Sequence, residues 1–184
     1  MRESRKYFLK KKTEIGNSMF DSKKSHYISV TGIVHKDGKF LIVKRSETEK
    51  NSSGKWTVPG GKLTADDYLN APLIFKKTNQ WYNVLPKVLK REVKEEVDLE
   101  VDGIKFLTDL IFIRTDGIPT LVVSMYCDYK SGNVKLSKEL SDFKWIEADE
   151  VPNYDLIEGI DEEIEVVDSI LKNKPLPKSF ITKT

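Results

Sequence analysis

Glu92, Glu95 and Glu96 stand three and four positions apart in Arg91-Glu92-Val93-Lys94-Glu95-Glu96-Val97, and this spacing limits the fold more than any other feature. Residues so spaced share one face of an α-helix. Leu85, Leu89, Val93 and Val97 recur every four residues and form an apolar stripe on the opposite side. The segment therefore predicts a helix that packs on one face and leaves its carboxylates available on the other. Asn83 or a neighbour can cap it, and Pro86 is tolerable because it lies in the first turn, where backbone donors have no intrahelical partners. Upstream, Val58-Pro59-Gly60-Gly61-Lys62 reads as a glycine turn after an apolar strand.

The rest of the chain supplies something for the stripe to pack on. Tyr27 to Val34 is β-rich, Lys36-Asp37-Gly38-Lys39 is a hairpin signal, and Phe40 to Val43 should pair back antiparallel. A polar loop, Arg45 to Gly54, then delivers Lys55-Trp56-Thr57-Val58 to the glycines. Residues 63–82 show no single period and read as an ordered insertion; the aromatics Trp81 and Tyr82 either cover core or stack a nucleobase. Phe106 to Arg114 and Leu121 to Tyr129 flank the turn signal Thr115-Asp116-Gly117, and Phe143 to Ile146 is a further short strand. Gly159 to Lys172 closes the chain as an amphipathic helix through Ile160, Ile164, Val167 and Leu171. This order predicts the α/β class, with a mixed or antiparallel sheet between helices.

With 184 residues, 39% hydrophobic and 33% charged, the chain fits one domain with a sizeable core. We expect a basic extension over residues 1–25 and a single domain over 26–184. No run approaches the roughly 18 apolar residues of a membrane span, and charges stand where a signal peptide needs an apolar region, so a cytoplasmic location is expected. Cys127, with no second cysteine, reads as a strand residue. The net charge of +2 divides unevenly: residues 1–25 carry +5 and the remainder −3. Such an arm can steer RNA toward the domain, or simply be solvated. His26 and His35, at the ends of the first strand, read as surface residues rather than catalytic bases.

Like charges on one helical face repel, each i,i+4 pair costing about 0.2–0.5 kcal/mol in an isolated helix. A hard divalent cation, Mg²⁺ or Mn²⁺, would offset that repulsion and create a function. The glycine turn adds backbone groups that approach a metal or phosphate closely. Together the two halves resemble the box of the Nudix hydrolase superfamily. Gly61 matches its first glycine, and Arg91, Glu92, Val93, Glu95, Glu96 and Leu99 match its helix; the Asp37-Gly38 hairpin, Val43 to Ser46, Trp56 and Phe143 to Ile146 extend the likeness to roughly residues 27–171. Three departures stand out. Gly61 and Arg91 lie 30 positions apart where the family pattern has 14, so 16 residues are inserted. The early box glutamate is missing, Asp67 being reached by counting forward from Gly61 and Asn83 by counting back from Arg91. Asp98 replaces the glycine after the helix.

The resemblance implies an α/β/α sandwich whose glutamates hold Mg²⁺ or Mn²⁺ against a diphosphate. It implies Glu92 and Glu96, then Glu95, as metal ligands with the Gly60 carbonyl, and Arg91 as orienter of the carboxylates. Lys62, Gly61 and Arg45 become substrate contacts, and Glu139 a candidate base. The expected activity is pyrophosphohydrolysis of a nucleoside triphosphate or nucleotide sugar. The same chemistry on an RNA 5′ end, or nucleotide sensing without turnover, are the alternatives. Oligomeric state is open.

Overall fold

The structure, a computed structural model, describes residues 25–49, 51–69, 80–177 and 180. The expected basic extension, Ser25 apart, and positions 70–79 of the insertion lie outside the described residues.

Strands β1 (Tyr27–Lys36) and β2 (Lys39–Arg45) leave their Asp37-Gly38 turn paired only at His35↔Phe40 and Lys36↔Lys39, then diverge. The chain from Trp56 to Lys62 fills the resulting fork. β3 (Trp56–Thr57) pairs with β2, and β4 (Gly60–Lys62) pairs antiparallel with β1 through Thr31↔Gly60, Val30↔Gly61 and Ser29↔Lys62. The two glycines are thus a short strand, not the open turn expected from Pro-Gly-Gly, because β1 offers them an unpaired edge. β5 (Glu100–Ile113) and β6 (Pro119–Ser131) form a long antiparallel ribbon, β6 joins β1 in parallel, and β7 (Leu140–Ile146) lies against β2. The sheet is mixed and seven-stranded.

Alternation along the central strands sends apolar side chains to both faces. On one face Val30, Val34, Leu41 and Val43 meet Val88, Leu89, Val93 and Val97 of α2 (Val84–Val97). On the other, Ile33, Phe40 and Ile42 meet Ile160, Ile164 and Val167 of α3 (Ile160–Leu171). This is the α/β/α sandwich. The first helix, α1 (Asp66–Leu69), is a single turn inside the insertion, and Trp81 packs on its Tyr68 with ring centroids 5.1 Å apart. A 3-10 helix over Ala148–Asn153 leads into α3. Helix α2 lies close on β1: a Cβ on Gly32 would come within 2.5 Å of Leu89. It ends as expected, with Asp98 in the left-handed region (φ 57°) and its side chain 2.6 Å from Lys94 Nζ. Cys127 is fully buried, and burial pushes its thiol up to about 12. Among the described residues no helix is long and apolar enough to cross a membrane.

One charge interrupts the second core. Glu163 of α3 is 5% exposed, accepts a hydrogen bond from Ser124 Oγ at 3.0 Å, and leaves its Oε2 without a partner. Burial, with Asp161 and Glu162 nearby, pushes its carboxyl up to about 7 against the opposing Ser124 bond. The folded state therefore holds this proton more tightly than the unfolded chain. Its stabilisation is complete below the ordinary carboxylate range and is lost as pH rises through about 7. Between pH 5 and 8 the wild type is expected to lose about 2 to 3 kcal/mol relative to Glu163→Gln. Chemical denaturation of both proteins across that range checks this; parallel curves would refute it.

Candidate active site

The fork between β1 and β2 puts β4 directly under the carboxylate face of α2. In an antiparallel pair, alternate residues turn their N–H and C=O groups away from the partner strand. Gly32 N–H donates to the Pro59 carbonyl and Leu63 N–H to the Ile28 carbonyl, both at 2.9 Å, so the intervening Gly60 and Lys62 present their backbone groups away from β1. Gly60 N–H donates to Glu96 Oε2 at 2.9 Å, and the Lys62 carbonyl accepts from Arg91 Nη2 at 3.2 Å. The Gly60 carbonyl faces the same side.

Arg91 organises the rest. Its guanidinium reaches Glu92 Oε1 at 2.9 Å, Glu95 Oε2 at 2.8 Å and both oxygens of Asp67, at 2.5 and 3.3 Å. Asp67 also accepts from the backbone and hydroxyl of Thr64 at 2.7 and 2.9 Å, and its side chain is 4% exposed. Burial alone would raise the Asp67 carboxyl, but the bonds from Arg91 and Thr64 hold it below the usual range. Of the two candidates for the missing early glutamate, Asp67 is therefore the one that reaches the site, while Asn83 stands at the N-terminus of α2. Thr64 was not anticipated; the spacing Thr64-x-x-Asp67 is the turn signal that could have flagged it. Losing the Asp67 charge frees Arg91 at one end, so Asp67→Asn is expected to lower turnover by roughly 10- to 100-fold, as removal of an outer partner does at other polar sites. Steady-state kinetics check this, and an unchanged rate would show Asp67 to be dispensable.

Glu92 and Glu96 are the half-buried carboxylates of the face, and Glu95 is exposed. A Cβ on Gly61 would overlap the Glu92 carboxylate, so the glycine makes room for it. Burial raises the Glu92 carboxyl, with Glu95 and Asp67 adding to the effect and Arg91 opposing it. Glu96 is pushed up to about 7, chiefly by burial, with Glu92 and Glu139 repelling its charge and Gly60 N–H and Arg45 opposing. Glu139, just before β7, thus acts on the same face, and its backbone carbonyl is tied to Ser46 N–H at 2.9 Å. Arg45 acts there as a charge, while its Nε and Nη2 donate to the Asn51 carbonyl and Glu49. The Lys62 side chain is elsewhere. Its cross-strand partner is Ser29, and its Nζ lies over the Tyr27 ring on the α3 side of the sheet.

Among the described residues, no three His, Cys, Asp or Glu side chains converge as a ready metal cage. The donor set nonetheless suits a hard cation: it is all oxygen, and a carboxylate held against its neighbours' charges accepts a cation in place of a proton.

No protein-family model matches the chain. Solved structures do. The MutT protein of Methanosarcina mazei Go1 superposes with a TM-score of 0.61 at 24% identity, over 83% of this chain and 99% of that one. The chain has the Nudix fold. The NUDIX domain of Shewanella oneidensis NrtR, solved with ADP ribose, superposes with a TM-score of 0.58 at 18% identity, over 85% and 95% of the two chains. In sequence, the nucleoside triphosphatase NudI of Escherichia coli O139:H28 is 23% identical over 140 residues, 69% of this chain and 86% of its own length. In this fold β4 and α2 bring Gly60 and Gly61 against Glu96 and Glu92 despite the residues inserted between Gly61 and Arg91.

Proposed function

We propose that this protein is a Mg²⁺- or Mn²⁺-dependent pyrophosphohydrolase that cleaves the diphosphate linkage of a nucleoside triphosphate or nucleotide sugar. The observation that carries this reading is the closure of the split box: Gly60 N–H meets Glu96 across 36 positions of sequence, and Gly61 lies against Glu92. Glu92, Glu96 and the Gly60 carbonyl, with Glu95 at the exposed rim, are the groups that would hold the cation. The metal, when bound, neutralises phosphate charge and lowers the barrier to attack by water.

The chain's own residues do the remainder. Arg91, anchored by Asp67, fixes Glu92 and Glu95; Gly60 N–H fixes Glu96; Arg45 balances the charge at its end of the face. Glu139, which carries no ion pair among the described residues, is the carboxylate left to take a proton from water. The water oxygen bonds to one phosphorus, the bridging P–O bond breaks, and the proton passes to the carboxylate. The experiment is a panel of nucleoside triphosphates and nucleotide sugars with Mg²⁺, scored for the products released. Silence across the panel would reject hydrolysis. The missing early box glutamate, with Asp98 in place of the box glycine, favours a second reading, nucleotide binding without turnover, for which ligand-induced thermal stabilisation on the same panel is the signature.

A further inference from the structure

On one side the sheet ends at β5, which among the described residues pairs with β6 alone. From Thr108 to Ile113 the two strands run without a register shift, so this part of the edge is straight. Arg114 N–H donates to the Ile118 carbonyl at 3.2 Å, one step beyond the Ile113↔Pro119 pair. By alternation Leu110 and Phe112 turn their backbone groups to β6, while Asp109, Ile111 and Ile113 turn theirs outward. The side chains here are apolar and open: Leu110, Ile111, Phe112 and Ile113 are 38%, 60%, 47% and 73% exposed. Neither a charge nor a proline interrupts these four residues, the devices that usually blunt an exposed edge. β7 makes the contrast: it is likewise paired on one side, with β2, but carries Asp142 and Lys144.

At roughly 150–200 Å² for a fully exposed side chain of this size, those fractions come to about 400 Å² of apolar surface on each copy of the chain. Two such edges would cover about 800 Å² between them, and the strand backbones and flanking side chains bring the contact near the roughly 1,200 Å² of a small specific interface. A second copy also supplies what the edge lacks, a row of outward N–H and C=O groups at the same spacing.

We propose that this edge binds a second copy of the chain, β5 antiparallel to β5 about a two-fold axis at Ile111, so that one sheet runs through both copies. Directly opposed residues share a face of the sheet, so the axis passes through a residue and not between two. With the axis at Ile111, that residue opposes itself, and Leu110 opposes the partner's Phe112, an aliphatic residue against an aromatic one. Asp109 opposes the partner's Ile113 at the rim. The outward groups of Asp109, Ile111 and Ile113 then meet in pairs and make roughly six main-chain hydrogen bonds. Other registers fare worse. An axis at Asp109 opposes two carboxylates, one at Leu110 brings Asp109 onto the partner's Ile111, and one at Phe112 runs the strand into the turn after Ile113 and sets Arg114 against the partner's Leu110.

The test is analytical ultracentrifugation of the full chain at micromolar concentration. Wild type is expected to sediment with twice the mass of the chain. Ile111→Lys sets two ammonium groups opposite each other at the axis and removes two buried isoleucines, so the dissociation constant should rise roughly 100-fold or more while the circular dichroism spectrum stays that of wild type. Ile111→Cys should give a disulfide-linked dimer on mild oxidation, because opposed residues of a hydrogen-bonded pair have Cα atoms about 5.5 Å apart, within the span of a disulfide. Ile113→Cys, opposite Asp109, should not link, and Cys127 is fully buried and does not compete. Should Ile111→Lys not fold, the two cysteine variants still decide. A monomeric wild type would overturn the proposal and leave the edge to solvent or to residues 1–24 of the same chain. A dimer that survives Ile111→Lys, an open-ended assembly, or failure of Ile111→Cys to link would overturn it as well.

Discussion

Glu96→Gln is expected to reduce Mg²⁺-dependent turnover by well over 100-fold while thermal unfolding stays unchanged or shifts upward. Outer partners of metal ligands already cost roughly 10- to 100-fold when removed, and the proposed role of Glu96 is to hold the metal itself. The fold should survive because glutamine retains an oxygen to accept Gly60 N–H at the 2.9 Å contact. It also removes a charge that burial, Glu92 and Glu139 all disfavour. Near-normal turnover in the variant would sink the assignment of this face as the metal site.

The paired glycines give the second large effect, and its two halves separate activity from stability. Gly61→Ala drives a methyl group into the Glu92 carboxylate, the far end of a flexible side chain, which can swing away at little cost to folding. Displacing it disorders the metal face, so turnover should fall roughly 100-fold with little change in melting temperature. Gly60→Ala meets backbone instead, the Val30 carbonyl and Thr31 Cα, which cannot move independently of the sheet. Overpacking of that kind costs about 1–3 kcal/mol, so this variant should melt earlier. Thermal denaturation and kinetics on both proteins check the split; equal losses of stability would contradict it.

Much of this was legible in the residues because it rests on periodicity. The four-residue stripe from Leu85 to Val97 marked the packed side of α2, with Val88 joining it. The expected opposite placement of the glutamates holds for Glu95 alone, since Glu92 and Glu96 flank the stripe and are half-buried against Gly61 and Gly60 of β4. Hairpin turns at Asp37-Gly38 and Asp116-Gly117 set the strand pairs. Long-range geometry was not readable. Nothing local shows that β1 and β2 part and let Gly60–Lys62 enter as a strand, which is why the glycines read as a turn and Lys62 as a phosphate contact. That pairing sends the Lys62 side chain to the α3 face and leaves only its carbonyl on Arg91. The role of Asp67 was open in sequence because the insertion allowed two counts; the Arg91 contact decides between them. Glu163 hid among the acidic residues of the first turn of α3, although its place three residues after Ile160 puts it on the apolar stripe.

Hydrolysis at the glutamate face is tested most directly by incubating the wild-type protein with a nucleotide from the panel in ¹⁸O-labelled water, with Mg²⁺ or with chelator, and weighing the products. One ¹⁸O atom in one phosphorylated product, with no product in chelator, is the expected result. Product formed without ¹⁸O, product formed in chelator, or none from any nucleotide would contradict it.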